Sequence, residues 1–178
     1  MLIPEVKFIL NTMSGKEKCH KPEKTGKYFT VPTELFLSKD GEWFHEGVQI
    51  TNERIIEQFN RSLRRDGDDY FVNIGWERGK VVVEDAPYMV KGVRAEGDKL
   101  ILELSDFTEE KFDPIKMSIG AGNVPYIMVK SAEDRARFTR PAYYHLASYL
   151  VEGPDGSPAL KVGDRLYSLD KVVSENSY

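Results

Sequence analysis

Ile50-Thr51-Asn52-Glu53-Arg54-Ile55-Ile56 and Phe138-Thr139-Arg140-Pro141-Ala142-Tyr143-Tyr144 are the two stretches whose reading decides the fold. In each, a large apolar residue precedes a threonine whose hydroxyl can accept a backbone N–H and cap a helix. Ile50 can pack on Ile55, and Phe138 on Tyr143, as hydrophobic staples. The first helix then has an apolar stripe of Ile55, Ile56, Phe59 and Leu63, and the second one of Tyr143, Leu146, Ala147 and Leu150. Arg61, Arg64 and Arg65 crowd the end of the first, where the helix dipole favours cations. Asp66-Gly67 and Gly153-Pro154 supply the two stops. Pro141 falls in the first turn of the second helix, where its missing N–H costs nothing.

Hairpins flank both stretches. Leu35 to Lys39 and Glu42 to His45 enclose Asp40-Gly41, a pair that tolerates the positive φ angles of a tight turn. Tyr70 to Ile74 and Lys80 to Glu84 predict a second hairpin around Gly79, and Pro87 breaks the ladder after it. Tyr88 to Arg94 and Lys99 to Leu104 predict a third, around Glu96-Gly97-Asp98. Ser105 to Pro114 reads as an acidic loop. Pro125 to Lys130 and Arg135 to Phe138 predict the strand pair before the second helix, and Ala159 to Val162 with Arg165 to Leu169 the pair after it.

Strand pair, helix, strand pair therefore occurs twice, offset by about 88 residues at the caps. The alternative is two ordinary capped helices in an undivided α+β chain. The expected fold is α+β: two related small domains, each a curved antiparallel sheet, a roll or partial barrel, with one packed helix. Residues 1–27 form an N-terminal arm and connector, 28–87 the first repeat and 88–178 the second. Leu37, Phe44, Ile55, Phe59, Leu63, Val82, Leu102, Ile127, Leu146 and Leu150 are expected in the core.

Composition narrows the function. The chain has 178 residues, 40% of them hydrophobic, with a net charge of −4. No basic stripe is available to displace counterions, which argues against nucleic acid as a partner. The same balance gives no support for an anionic membrane. The single cysteine, Cys19, fits a reducing compartment. The apolar start Met1 to Leu10 is interrupted by Glu5 and Lys7 and makes a poor signal peptide. A cytoplasmic protein is expected, of unspecified oligomeric state.

The run Ser38 to Gly47, the helix end Ser62-Leu63-Arg64-Arg65, the strand Tyr70-Phe71-Val72 and above all Val83-Glu84-Asp85-Ala86-Pro87-Tyr88 resemble a bacterial family of unassigned function, domain-of-unknown-function family twelve-eighty-five. Pro125-Tyr126 and Arg140-Pro141-Ala142-Tyr143-Tyr144 fit the same family, so the resemblance runs from about residue 30 onward. It implies a duplicated two-domain fold whose second half is loosely pleckstrin-homology-like. It also implies a ligand site at the domain interface for a nucleotide-like molecule, and a role in signalling. The chain departs from the family pattern at Ile74-Gly75-Trp76-Glu77-Arg78, where the family tends to carry Thr-Pro-Val-Glu-Lys. The acid and base persist at Glu77 and Arg78, but Trp76 is bulkier and alters any pocket there.

Six residues are candidates for ligand binding. Asp85, with Glu84, offers acceptors before Pro87, or else caps that turn. Trp43 and His45 share one face of a strand, where they can stack and hydrogen-bond a base or merely pack. Glu77 supplies a carboxylate. Arg140 lies in a first helical turn that favours anions, with Tyr144 one turn on. Arg54, Arg61, Arg64 and Arg65 can bind phosphate or form a solvated helix face. Gly120-Ala121-Gly122 leads into a strand and is a turn or bulge, not a phosphate loop. Cys19, His20, His45 and His145 lack metal-ligand spacing, and no catalytic motif, cofactor motif or metal site is expected. The expected function is a non-catalytic, nucleotide-like ligand-binding or signalling module with its site in the inter-domain groove. One alternative is a hydrolase or transferase on a small phosphorylated substrate, with Asp85 or Glu77 as base. Another is a protein-interaction scaffold that uses its sheet edges.

Overall fold

The structure, a computed structural model, describes residues 29–130, 134–168 and 173–174. The expected N-terminal arm, with Cys19 and His20, lies outside the described residues. The chain divides into two units. One runs to Ser38 and resumes over Glu42–Glu84; the other takes Lys39–Gly41 and the chain from Asp85 on.

In the first unit, β1 (Phe29–Leu37), β2 (Trp43–His45) and β3 (Val48–Gln49) form a meander, followed by helix α1 (Glu53–Ser62). A second meander follows: β4 (Leu63–Asp66), β5 (Asp69–Ile74) and β6 (Glu77–Val83). The sheet order is β3-β2-β1-β6-β5-β4, so the first and last strands lie side by side and parallel. The expected Asp40-Gly41 hairpin is present, with Gly41 at a φ of 79°. Strict alternation sends Leu35, Leu37, Trp43 and Val81 to one face. Helix α1 packs on β5 and buries Ile55 and Phe59. Trp43 is fully buried; its indole N–H donates to Asn60 Oδ1 at 2.9 Å and its ring meets Phe59 edge-on at 5.2 Å.

In the second unit, β7 (Tyr88–Glu96), β8 (Lys99–Leu104) and β9 (Glu109–Lys111) form a meander. A short 3-10 turn at Pro114–Lys116 leads to β10 (Met117–Gly120), β11 (Val124–Val129) and β12 (Asp134–Phe138). Then come α2 (Arg140–Ala147), a small sheet of β13 (Leu150–Glu152), β14 (Pro158–Val162) and β15 (Arg165–Ser168), and β16 (Val173–Ser174). The large sheet runs β9-β8-β7-β12-β11-β10, with β16 added beside β10. Here too the first and last strands of the two meanders, β7 and β12, pair in parallel.

The fold is thus α+β with two similar open sheets of one topology, and each unit packs one helix. The duplication lies in the strands and not in the capped helices. In the first unit α1 joins the two meanders, whereas the second unit has the Pro114–Lys116 turn at that place and α2 follows the whole sheet.

Several local expectations shift accordingly. The cap of α1 is Asn52, whose Oδ1 accepts from the Arg54 N–H at 3.1 Å, and Thr51 stays outside. That displaces Ile50 from the staple position. Helix α1 stops at Ser62. Leu63 has helical spacing but turns extended and pairs with Val72, so Arg64 and Arg65 lie on a strand. Asp66-Gly67 is a hairpin turn, with Gly67 at a φ of 62°. Gly79 is inside β6, and the turn before that strand is Gly75-Trp76. The acidic loop contains β9. Thr139 does cap α2, accepting from the Ala142 N–H at 3.4 Å. That helix ends at Ala147, however, so Leu150 opens β13 and Gly153-Pro154 sits in the following turn. Of the expected core, Phe44 is half-buried, and Val82 and Leu150 are 59% and 43% exposed. The run Val81-Val82-Val83 carries no sign of which face is inward, and Val81 takes the core.

The cap assignment can be tested in solution. Asn52→Ala should cost about 1 kcal/mol of stability, while Thr51→Ala should stay within about 0.5 kcal/mol of the parent. Denaturant melts of both variants check this, and the reverse ranking would return the cap to Thr51.

Candidate functional site

The six candidate side chains fall in both units. Trp43, His45 and Glu77 belong to the first, and Asp85, Arg140 and Tyr144 to the second. Trp43 and His45 do share a face, as their spacing requires, but it is the face under α1. His45 is 1% exposed, and neither ring nitrogen makes a hydrogen bond. The pair therefore packs in the core and has no open face on which to stack a ligand. Glu77 is half-buried, and burial pushes its carboxyl above the usual range. Beside it, Trp76 stands 56% exposed at the turn.

The arginines in and just after α1 are engaged locally. Arg61 pairs with Glu57 at 3.1 Å, Arg64 donates to the carbonyls of Arg61 and Leu63, and Arg65 donates to that of Gly67. Arg140 and Tyr144 are exposed on α2. The first turn of that helix is a poorer anion site than its position suggests. The Thr139 N–H bonds the Val90 carbonyl, the Ala142 N–H bonds the Thr139 hydroxyl, and Pro141 has no N–H to offer.

Asp85 is the hub of a polar cluster. Its Oδ2 accepts from the Tyr126 hydroxyl at 2.8 Å and from Arg137 at 2.9 Å, and its Oδ1 accepts from Arg135 at 3.1 Å. Its side chain is 14% exposed. Arg135 and Arg137 are two apart on β12 and so share a face; Tyr126 is the cross-strand partner of Arg137, and the Arg135 guanidinium lies over its ring at 4.6 Å. Burial, the bond to Asp85 and the Asp85 charge together raise the Tyr126 hydroxyl pKa, against the two arginines. Asp85 thus neither caps a local turn nor stands ready as a base: strands 41 to 52 residues away occupy both of its oxygens. Tyr126, Arg135 and Arg137 were read in the sequence as strand residues, not as partners of Asp85. The signal for them was Arg135-Ala136-Arg137, two cations at strand spacing.

A second buried carboxylate, Asp106, accepts from the Thr108 N–H and hydroxyl and from Lys130 Nζ at 2.7 Å. Burial alone would raise its pKa, but these bonds outweigh burial and hold it below the ordinary value.

The second unit also contains a cavity of about 220 Å³. Tyr143, Leu146 and Ala147 of α2 form one side; Met117 and Ile119 of β10, with Leu160 of β14, face them. Leu150 and Pro158 complete the wall. The stripe read from the sequence as a buried helix face is thus the wall of an open space. Leu146 is buried, but Tyr143 and Leu150 are 37% and 43% exposed and Pro158 is exposed, so the three stand at the cavity's rim. Arg140 lies three residues before Tyr143, on the same helix face.

Two consequences are measurable. His45→Leu replaces two unbonded buried nitrogens with carbon and should stabilise the chain by about 1–3 kcal/mol; a loss of stability would mean that the nitrogens are bonded in solution. Asp106→Asn should destabilise by about 2 kcal/mol at neutral pH. A depressed folded pKa adds stability above the unfolded value and loses it as pH falls toward the folded one. The gap between parent and Asp106→Asn in urea melts should therefore narrow below about pH 4, and a constant gap would refute the ionic account.

Residues 21–86 match the N-terminal domain model of the domain of unknown function DUF1285. No curated protein matches the chain. Among solved structures, a DUF1285 family protein from Silicibacter pomeroyi DSS-3 is similar, with a TM-score of 0.63 and 20% identity over 90% of this chain and 93% of that one. A DUF1285 family protein from Shewanella baltica OS155 is similar with a TM-score of 0.52 and 20% identity, over 64% of this chain and 90% of that one. Residues 21–86 are thus similar to the N-terminal domain of the DUF1285 family, and the chain's fold is similar to that of two solved bacterial DUF1285 proteins.

Proposed function

We propose that the chain is a small-ligand-binding module whose site is the cavity beside α2. The observation that carries this reading is the cavity itself. A well-packed interior leaves few voids larger than a water molecule, and an amphipathic helix normally closes its apolar face against a sheet. Here the face of α2 meets an apolar space of about 220 Å³ with an accessible rim at Tyr143, Leu150 and Pro158. Pockets for drug-sized ligands span ~300–1,000 Å³, so this one suits a single ring or short chain, with the rest of the ligand outside.

The nucleotide-like ligand expected from the family resemblance is one of the classes that the binding experiment must compare. A ligand that binds only the folded state stabilises it by ~2.7 kcal/mol at 100 times its dissociation constant, and the signalling role implied by the family resemblance would rest on such binding. The cytoplasm is the assigned compartment, on the strength of the single cysteine. Among the described residues no helix is long and apolar enough to cross a membrane.

A thermal-shift panel of nucleosides, nucleotides and small carboxylic acids tests the proposal. One class should raise the melting midpoint by roughly 5–10 °C at saturation, and Ala147→Phe, which fills the cavity, should abolish the response. If every probe leaves the parent unmoved, or the filled variant responds like the parent, the cavity is not the site.

A further inference from the structure

The chemistry of the cavity wall specifies the ligand more closely, on the premise that the cavity is the site. A pocket that reads a base or a sugar needs buried donors and acceptors set against the polar edge of its ligand. Here the walls facing α2 are Met117, Ile119 and Leu160, and α2 adds Leu146 and Ala147. Tyr143 alone brings a side-chain hydrogen-bonding group, and it stands at the mouth. A base placed inside would lose its water and gain no partner for its ring nitrogens. An apolar body loses nothing there. An engineered apolar cavity of ~150 Å³ admits benzene, and the space here is larger.

The mouth carries the opposite preference. Arg140 is exposed one helical turn before Tyr143 on the same face, so its guanidinium, and not the N–H groups of the first turn, supplies the positive charge. We infer that the ligand is a small carboxylic acid, with its acyl or aryl body in the cavity and its carboxylate at Arg140. The recognition is non-covalent: hydrocarbon is buried, and a fixed cation meets the ligand's anionic end.

A titration series on the full chain tests this. Butanoate, hexanoate, octanoate and decanoate should bind progressively more tightly, about fourfold per methylene, until the cavity is full and affinity levels off. Phenylpropanoate should bind as a member of the same class. The matching alcohols should bind the parent less well than the acids, and Arg140→Gln should remove that difference while keeping the chain-length dependence. Ala147→Phe, or the smaller fill Ala147→Met where the phenylalanine variant does not fold, should weaken every member. If adenosine or AMP binds, the acids do not and the fill variants block that binding, the cavity reading stands and the acid inference falls. If the acids bind with no length dependence, or bind the fill variants equally well, the inference falls through non-specific surface binding. If no probe binds at all, the cavity reading itself falls.

Discussion

The parallel pairing of first and last strands holds each unit together. β1 lies beside β6 and β7 beside β12, and each pairing turns two independent meanders into one sheet. A meander of three strands is held by tight turns and costs little to close, whereas a parallel pair needs a long crossover. The core depends on this junction. In the first unit it sets Leu35 against Val81, under α1; in the second it buries Ala136 beside Tyr88, on the sheet that carries α2. Closing such distant strands costs loop entropy before any apolar surface is buried, which is why the apolar rows must be continuous across the junction.

The same constraint governs what the sites can be. Asp85 follows β6, and its carboxylate is gathered by Tyr126, Arg135 and Arg137, residues positioned only because β11 and β12 pair. An arrangement in which charged and hydroxyl donors reach both carboxylate oxygens anchors the segment that follows β6. The cavity has the reverse character. It lies where α2 meets β10 and the small sheet, and its wall is hydrocarbon. The polar cluster is spent on contacts within the fold, whereas the apolar walls border open space.

Local turns were legible because each rests on a residue's own conformational preference. Asp40-Gly41 and Glu96-Gly97-Asp98 mark hairpins that formed as read. Elements that rest on competition were not legible. Thr51 and Asn52 are both good caps, and the second won. Leu63 keeps helical spacing, yet pairing with Val72 pulled it into a strand. Trp43 and His45 were correctly placed on one face, but nothing in a dipeptide-spaced pair says whether that face looks to solvent or to a helix. Glu77, Arg140 and Tyr144 could be named but not brought together, because spacing along the chain does not fix distances between elements.

By itself the sequence determined the element types, most of the turns and the α+β character, since those follow from φ preferences and from periods of two and 3.6 residues. The family resemblance in Val83 to Tyr88 was likewise present in the letters. Only the tertiary structure decided that the duplication is one of six-stranded sheets, that His45 is buried on the face Trp43 turns to α1 and that both oxygens of Asp85 are hydrogen-bonded. It also decided that the apolar stripe of α2 borders a cavity. Each of these is set by which strands lie side by side, and that is fixed by the summed burial of residues far apart in the chain, a quantity no local window contains.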